Sequence, residues 1–530
     1  MKEPCCSGLN FVTIPDTVIS IDDWAFEGCS GLIVVSIPDS VTTIGDWAFK
    51  DCSGLSSVTI PDSVTSIGDS AFEGCSRLSS VIIPDTITSI GESTFEGCSG
   101  LITIIIPDSV TTIGDWAFFG CTNLNFVTIG LSVTSIGDST FKGCRNLTSV
   151  TYNATNCEGL DDDSFCELGP WFKDSPLTTL NIGEGVKQIP NYLVCGQSGL
   201  TSITIPASVT SIGKSAFAGC SGLTSVTIGD SVTLISNMAF EGCSSLASVT
   251  IPDSVISIGE CAFKDCSGLT SVTIPESITS IGSWAFKGCS NLTSVTYNAA
   301  NCEWASYWDF LALWFQDCPL TTLIIGEGVK QIPDYLVCGQ SGLTSVTISA
   351  SVTSIGKSAF KGCLGLTSVT YNAVNCEGLD DDSFREPESW FKDSHLTRLN
   401  IGNGVNRIPD YLACGQRGLT SITIPASVTS IGKSAFAGCS GLTSITIPDS
   451  VTSIGFGAFC DCSGLTSVTI PDSVTSIGHG AFCGCSGLTF VTIPDSVTKE
   501  CSIVCHQRRY GTRFRGNNTN IPRITGNVGS

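Results

Sequence analysis

The stretch Leu55-Ser-Ser-Val58-Thr-Ile60-Pro61-Asp62-Ser63-Val64-Thr-Ser-Ile67-Gly68-Asp-Ser-Ala71-Phe72-Glu-Gly74-Cys75 decides the fold. Leu55, Val58 and Ile60 have the spacing of a short strand whose apolar side faces inward. Pro61 has no N–H to give to a ladder, so it ends the strand. Asp62 and Ser63 suit a turn, because their side chains bond the backbone locally. Val64 and Ile67 return to the interior, and Gly68 permits a tight bend. Ala71 and Phe72 fill the far side of the coil, with Cys75 at a third inward position. One such unit is too small to bury its own apolar face, whereas stacked copies bury it continuously.

Working outward, the same leucine recurs every 23 residues from Leu9 to Leu147. The series resumes from Leu177 to Leu292, from Leu320 to Leu366 and from Leu396 to Leu488, giving 21 copies. The longer repeats occupy 147–176, 292–319 and 366–395. They share a second-level pattern, Tyr152-Asn153-Ala154 through Trp171-Phe172 matching Tyr371-Asn372-Ala373 through Trp390-Phe391, with Tyr297 through Trp314-Phe315 a more distant copy. Residues 1–497 therefore read as one solenoid, and 498–530 as a basic, unstructured tail carrying Lys499, Arg508, Arg509, Arg513, Arg515 and Arg523 against Glu500. The chain starts in mid-unit, Cys6-Ser7-Gly8 being the tail of a repeat whose front is absent, which reads as an incomplete N-terminus.

The repeated L-x-x-V-x-I-P-x-x-V-x-x-I-G-x-x-A-F-x-G-C resembles the BspA-like class of leucine-rich repeats over about Cys6 to Val497. The generic Asn or Cys shortly after the strand is replaced by Ser63 and Val64, so no asparagine ladder is expected at that corner. The resemblance implies a curved right-handed solenoid with one parallel sheet on its concave face and short turns or 3₁₀ segments on the convex face. A parallel β-helix is the runner-up fold. The resemblance also implies a non-enzymatic surface or extracellular protein of adhesion and recognition, although no signal peptide is visible in this chain.

Composition narrows function further. Charged residues are 14% of the 530, and the formal net charge is −23, which disfavours nucleic acid and anionic lipid as partners. No apolar run of membrane-spanning length occurs, so no membrane insertion is expected. The expected partner is a protein or a glycan, with no cofactor. The oligomeric state is open.

The candidate chemistry is sparse. Of the 29 cysteines, 14 fall at one register (Cys29, Cys52, Cys75, Cys98, Cys121, Cys144, Cys220, Cys243, Cys266, Cys289, Cys363, Cys439, Cys462, Cys485). Asp174, Asp317 and Asp393 are expected at that register in the long repeats. Buried packing explains this ladder better than systematic disulfides, which would distort each coil. Cys460-Asp461-Cys462 and Cys483-Gly484-Cys485 lie on neighbouring coils, but C-x-C lacks zinc-finger spacing and no metal site is assigned. The column Asp16, Asp39, Asp62, Asp85, Asp108, Asp449, Asp472 and Asp495 reads as solvated turn residues rather than a calcium site. His395, His479 and His506 lie at unrelated registers, so no catalytic set is assigned.

Asn146, Asn153, Asn291 and Asn517 begin glycosylation sequons, relevant only to a secreted chain. The candidate binding face is the outward side of the strands, a hydroxyl-bearing surface formed by Ser57 and Thr59, Ser225 and Thr227, Ser271 and Thr273, Ser444 and Thr446, and Ser467 and Thr469. The alternative functions are an intracellular protein-interaction scaffold, and ice or glycan binding by the Ser/Thr rows. The acidic runs Asp161–Asp163 and Asp380–Asp382 are expected in loops, as solvated bulges.

Overall fold

The computed structural model describes residues 8–157, 159, 171–304, 313–376, 389–498 and 513–515. The acidic runs at 161–163 and 380–382, the terminal residues 1–7, His506 and Asn517 lie outside them. Two units are present, Met1–Val272 with Ser280–Leu292, and Thr273–Thr279 with Thr293–Ser530. Each is a leucine-rich-repeat solenoid of parallel strands, as the repeat pattern implies. No helix occurs among the described residues.

The first ladder follows from the L-x-x-V-x-I alternation. In the first unit Phe11–Thr13, Val34–Ser36 and Ser57–Thr59 pair in parallel, with Val12, Val35 and Val58 in register. In the second unit a continuous ladder runs from Ser345–Ile348 through Ser368–Tyr371, Arg398–Ile401, Ser421–Thr423, Ser444–Thr446 and Ser467–Thr469 to Phe490–Thr492. Across the long repeats the register holds: Val150 faces Leu180, and Val369 faces Leu399. The strands on either side of a long repeat thus pair as ordinary neighbours do. Within the segment read as a tail, Arg513–Arg515 is a strand paired with Phe490–Thr492.

A second ladder joins the first. The Ser66–Ile67 pair and its equivalents form two-residue parallel strands, as in Ser20–Ile21, Thr43–Ile44 and Ser66–Ile67 and in Arg407–Ile408, Ser430–Ile431, Ser453–Ile454 and Ser476–Ile477. The D-x-A-F-x-G-C half is built of turns. Its rings pile up inside the first unit, Phe26, Phe49, Phe72, Phe95, Phe118, Phe141 and Phe172 stacking with centroids 5.1–5.5 Å apart.

Side chains also stitch coil to coil. The carboxylate of Asp46 accepts the Asp69 N–H at 2.8 Å, and Asp69 accepts that of Glu92 at 2.8 Å. Asn191, Asn237, Asp334 and Asp410 repeat the bond. The hydroxyl of Ser63 donates to the Val41 carbonyl of the preceding coil at 2.7 Å, as Ser109 does to Ile87 and Ser450 to Val428. An Asx ladder therefore exists, at the corner after Gly68 rather than after the strand. Gly68 is required there because a Cβ would stand 2.5 Å from the Asp46 nitrogen.

The cysteine register carries the third stitch. Its thiols are buried and donate to the carbonyl at the Phe register of the coil before: Cys52 to Phe26 at 3.1 Å, Cys75 to Phe49 at 3.2 Å, Cys439 to Ala413 at 3.2 Å. The expectation that Asp174, Asp317 and Asp393 share this register is corrected. They stand one residue earlier, at the position of Gly74, with φ of 67°, 62° and 65°. Ser175, Cys318 and Ser394 take the cysteine register instead. That left-handed backbone is cheap only for Gly and, next, for Asp and Asn, whose short side chains bond locally.

Each long repeat also shortens its closing turn by one residue, Ser175-Pro176-Leu177 replacing Cys52-Ser53-Gly54-Leu55. Leu55 donates to the Cys52 carbonyl at 2.9 Å, whereas Leu177 donates to the Gln197 side-chain oxygen at 3.3 Å. The Gln197 amide donates in turn to the Phe172 carbonyl at 2.8 Å. Gln340 and Gln416 repeat both bonds with Leu320 and Phe315, and with Leu396 and Phe391. All three glutamines are buried. A thiol can donate to the carbonyl but is a poor acceptor for the second N–H. Gln197→Leu strands two buried backbone groups and is expected to cost ~2–4 kcal/mol in urea denaturation. Gln197→Cys, restoring one bond, should cost less.

Candidate binding face

All ten predicted hydroxyl positions point outward and are exposed, from Ser57 and Thr59 through Ser225, Thr227, Ser271, Thr273, Ser444 and Thr446 to Ser467 and Thr469. Alternation places them there: each flanks an inward Val or Ile, so a strand with a buried centre must present its neighbours to solvent. One position earlier, Thr224, Thr443 and Thr466 donate to the carbonyls of Thr201, Thr420 and Thr443 at 3.0–3.4 Å. Part of the hydroxyl array is therefore structural.

The face is not uniform. In the first unit, four outward positions are apolar over three successive coils. Ile82 is 77% exposed and Ile105, one repeat further in the same column, is 63% exposed. Ile102 is exposed on the same coil as Ile105, and half-buried Phe126 follows, its strand partner being Thr103. A smaller patch joins Phe11, 70% exposed, to its strand partner Val34 and to Ile33. These residues were hidden by reading the face through its consensus. The available signal was departure from Ser and Thr at outward registers.

A second column runs along the turn half, at the residue before Ala71; serines such as Ser70 are buried there, whereas Trp24 and Trp116 are exposed. It has positive φ in almost every coil, including Trp24, Trp47, Ser70 and Trp116. Trp24 and Trp47 stack at 5.2 Å, while Lys287 lies over Trp284 and Lys433 over Tyr411, each 5.4 Å from the ring.

Two shallow surface depressions are present in the second unit. One, of about 630 Å³, is lined by Lys392, Asp393, His395, Gln416 and Arg417. The His395 Nδ1 there lies 3.0 Å from the Leu364 carbonyl. The other, of about 380 Å³, lies beside Arg407, Asp410 and Lys433. The first is also lined by Ser389, Ser394, Thr397 and Cys414; the Ser394 hydroxyl donates to the Phe391 carbonyl, and the His395 Nδ1 is turned to the Leu364 carbonyl. Among the described residues, no three His, Cys, Asp or Glu side chains are grouped to hold a metal, and no helix is long and apolar enough to cross a membrane.

The family model described as a BspA type leucine rich repeat region matches residues 4–124, 48–169, 89–193, 122–247, 187–308, 312–389 and 386–503. No curated protein matches. Among solved structures, the chain is similar to a leucine-rich repeat protein from Bacteroides ovatus, at 25% identity over 88% of each chain with a TM-score of 0.31. It is similar to a leucine rich cell surface protein from Faecalibacterium prausnitzii, at 24% identity over 91% of this chain and 87% of that one, with a TM-score of 0.23. A leucine-rich repeat protein from Eubacterium ventriosum is 19% identical over 94% of this chain and 92% of that one, with a TM-score of 0.27.

Proposed function

We infer that this chain, which belongs to the BspA type leucine-rich repeat family, binds a protein partner through the strand face of its first unit and works without catalysis. The observation that supports this reading is the apolar patch of Ile82, Ile102, Ile105 and Phe126 on an otherwise hydroxylated sheet. Water-exposed isoleucines on a folded surface are unfavourable unless something covers them, and a contiguous group marks an interaction surface. The surrounding Ser and Thr supply a polar rim. Weak contacts repeated along the ladder add to such an anchor.

The proposed setting is the cell surface or the extracellular space, which rests on family resemblance. An intracellular scaffold is the second reading. It is favoured by the buried column of thiols that donate to backbone carbonyls, since thiols kept in that role suit a reducing compartment. Localising a tagged full-length chain separates the two.

A photo-crosslinking residue placed at exposed position 103, inside the patch on the same strand as Ile105, is expected to form adducts with protein, and one at position 469 on the bland part of the ladder far fewer. Ile105→Asp should weaken that capture at least tenfold, because burying one such side chain is worth about 1.5–3 kcal/mol. Capture unchanged by Ile105→Asp would remove the patch from the function. Binding to a glycan array that survives the same substitution would favour the hydroxyl rows instead.

A further inference from the structure

The position after the Phe register forms an outward column in which side chains one coil apart meet. Lys50 and Glu73 pair there at 2.8 Å, and Lys264 and Glu241 at 2.6 Å. Cys460 and Cys483 occupy this column on successive coils of the second unit. The Phe459 N–H donates to the Ala481 carbonyl at 2.8 Å and the Asp461 N–H to the Cys483 carbonyl at 2.6 Å, which sets Cys460 directly opposite Cys483. Parallel neighbours so paired hold their Cα atoms about 4.8 Å apart, inside the roughly 4.4–6.8 Å that a disulfide spans. Phe456 and His479 stack at 5.8 Å across the same two coils and keep them aligned.

Both thiols are half-exposed. The inward thiols beside them differ: Cys462 donates to the Phe436 carbonyl and Cys485 to the Phe459 carbonyl. An outward pair can close without moving the core, which the inward ladder cannot.

We propose that Cys460 and Cys483 form a dithiol modification site that a small-molecule disulfide, such as oxidised glutathione, converts into an intrachain disulfide joining the two coils. The Cys483 thiolate attacks one sulfur of the oxidant, forming a mixed disulfide and expelling one glutathione thiolate. The Cys460 sulfur then attacks Cys483 of that mixed disulfide, expels the second glutathione and completes the bond. Two protein thiols lose two protons and two electrons, and one glutathione disulfide becomes two thiols. Cys460 is assigned the second attack because partial burial and the adjacent Asp461 carboxylate push its thiol up to about 12. Its thiolate is scarce, and the intramolecular step offsets this by holding it beside the Cys483 sulfur.

The test is oxidation of the full chain with glutathione disulfide, alkylation of remaining thiols and cleavage before aspartate, which separates Cys460, Cys462 and Cys483 into different peptides. Fragmentation then distinguishes Cys483 from Cys485. The expected product joins Cys460 to Cys483, with Cys462 and Cys485 alkylated. Half-exposed Cys195, Cys338 and Cys414, whose neighbours in the column are not cysteines, should carry single glutathiones. Cys460→Ser should leave Cys483 carrying a single glutathione that cannot close, with circular dichroism unchanged. Stable glutathiones on both Cys460 and Cys483, or a Cys462–Cys485 bond, would overturn the proposal. The wild-type map decides the question even if the variant misfolds.

Discussion

Raising the pH from about 9 to about 12 is expected to unfold this protein steeply under reducing conditions. Burial pushes the thiols of Cys52, Cys144, Cys243, Cys363 and Cys439 up to about 12, from an ordinary value of 9.0. Burial pushes Cys75, Cys98, Cys121 and Cys266 up as well. Below 9 these groups are protonated in both states, and their contribution to stability is complete. Above 9 the unfolded chain releases protons that the folded chain still holds, so each further rise favours unfolding. One such thiol contributes a slope of ~1.4 kcal/mol per pH unit, and five together ~7 kcal/mol per pH unit. An ordinary domain has only about 5–15 kcal/mol in total. The transition should therefore fall within one to two units above 9, in segments rather than all at once, because each coil contacts only its neighbours. Circular dichroism recorded alongside thiolate absorbance checks this. Thiolate appearing near its ordinary value while the fold persists would show that the column is open to water.

How far the sequence foretold this structure depends on the length of each signal. The first ladder was legible because Leu55, Val58 and Ile60 alternate with polar residues and do so 21 times. The second ladder was not, because Ser66–Ile67 is too short to show a period. The Asx ladder escaped for a different reason. Its bonds join Asp46 to Asp69 across 23 residues, a relation that becomes local only after stacking. Gln197 carries no local signal either, because the Phe172 carbonyl it reaches lies 25 residues back and comes within range only once the coils stack. The one-residue slip at Asp174 has the same origin, since the shortened turn moves Leu177 closer to Phe172 and misaligns a count made from the leucine. On the binding face, a consensus averages away the isoleucines at 82, 102 and 105, and exposure in the folded chain singles them out.

Phe95→Ala is expected to cost ~3–5 kcal/mol, the range for deleting a fully buried aromatic ring. Phe95 has no exposed surface and stacks on Phe72 at 5.5 Å and on Phe118 at 5.4 Å. Its loss opens a cavity at two successive interfaces, and a solenoid has no other contacts to redistribute the loss. The chain itself shows where the stack tolerates a smaller residue. Val194, Val337 and Ala413 replace the ring, and in each case the coil before carries a buried tryptophan at the Ala71 register: Trp171, Trp314 and Trp390. Volume gained on one coil offsets volume lost on the next. Ala71→Trp alone should overpack and cost ~1–3 kcal/mol. Combined with Phe95→Ala, it should cost less than the sum of the two, by a coupling of ~1 kcal/mol or more. Urea denaturation of the four proteins measures that cycle. Strict additivity would mean that the tryptophan and the missing ring do not share a space, and that tolerance at Val194 comes from its own coil.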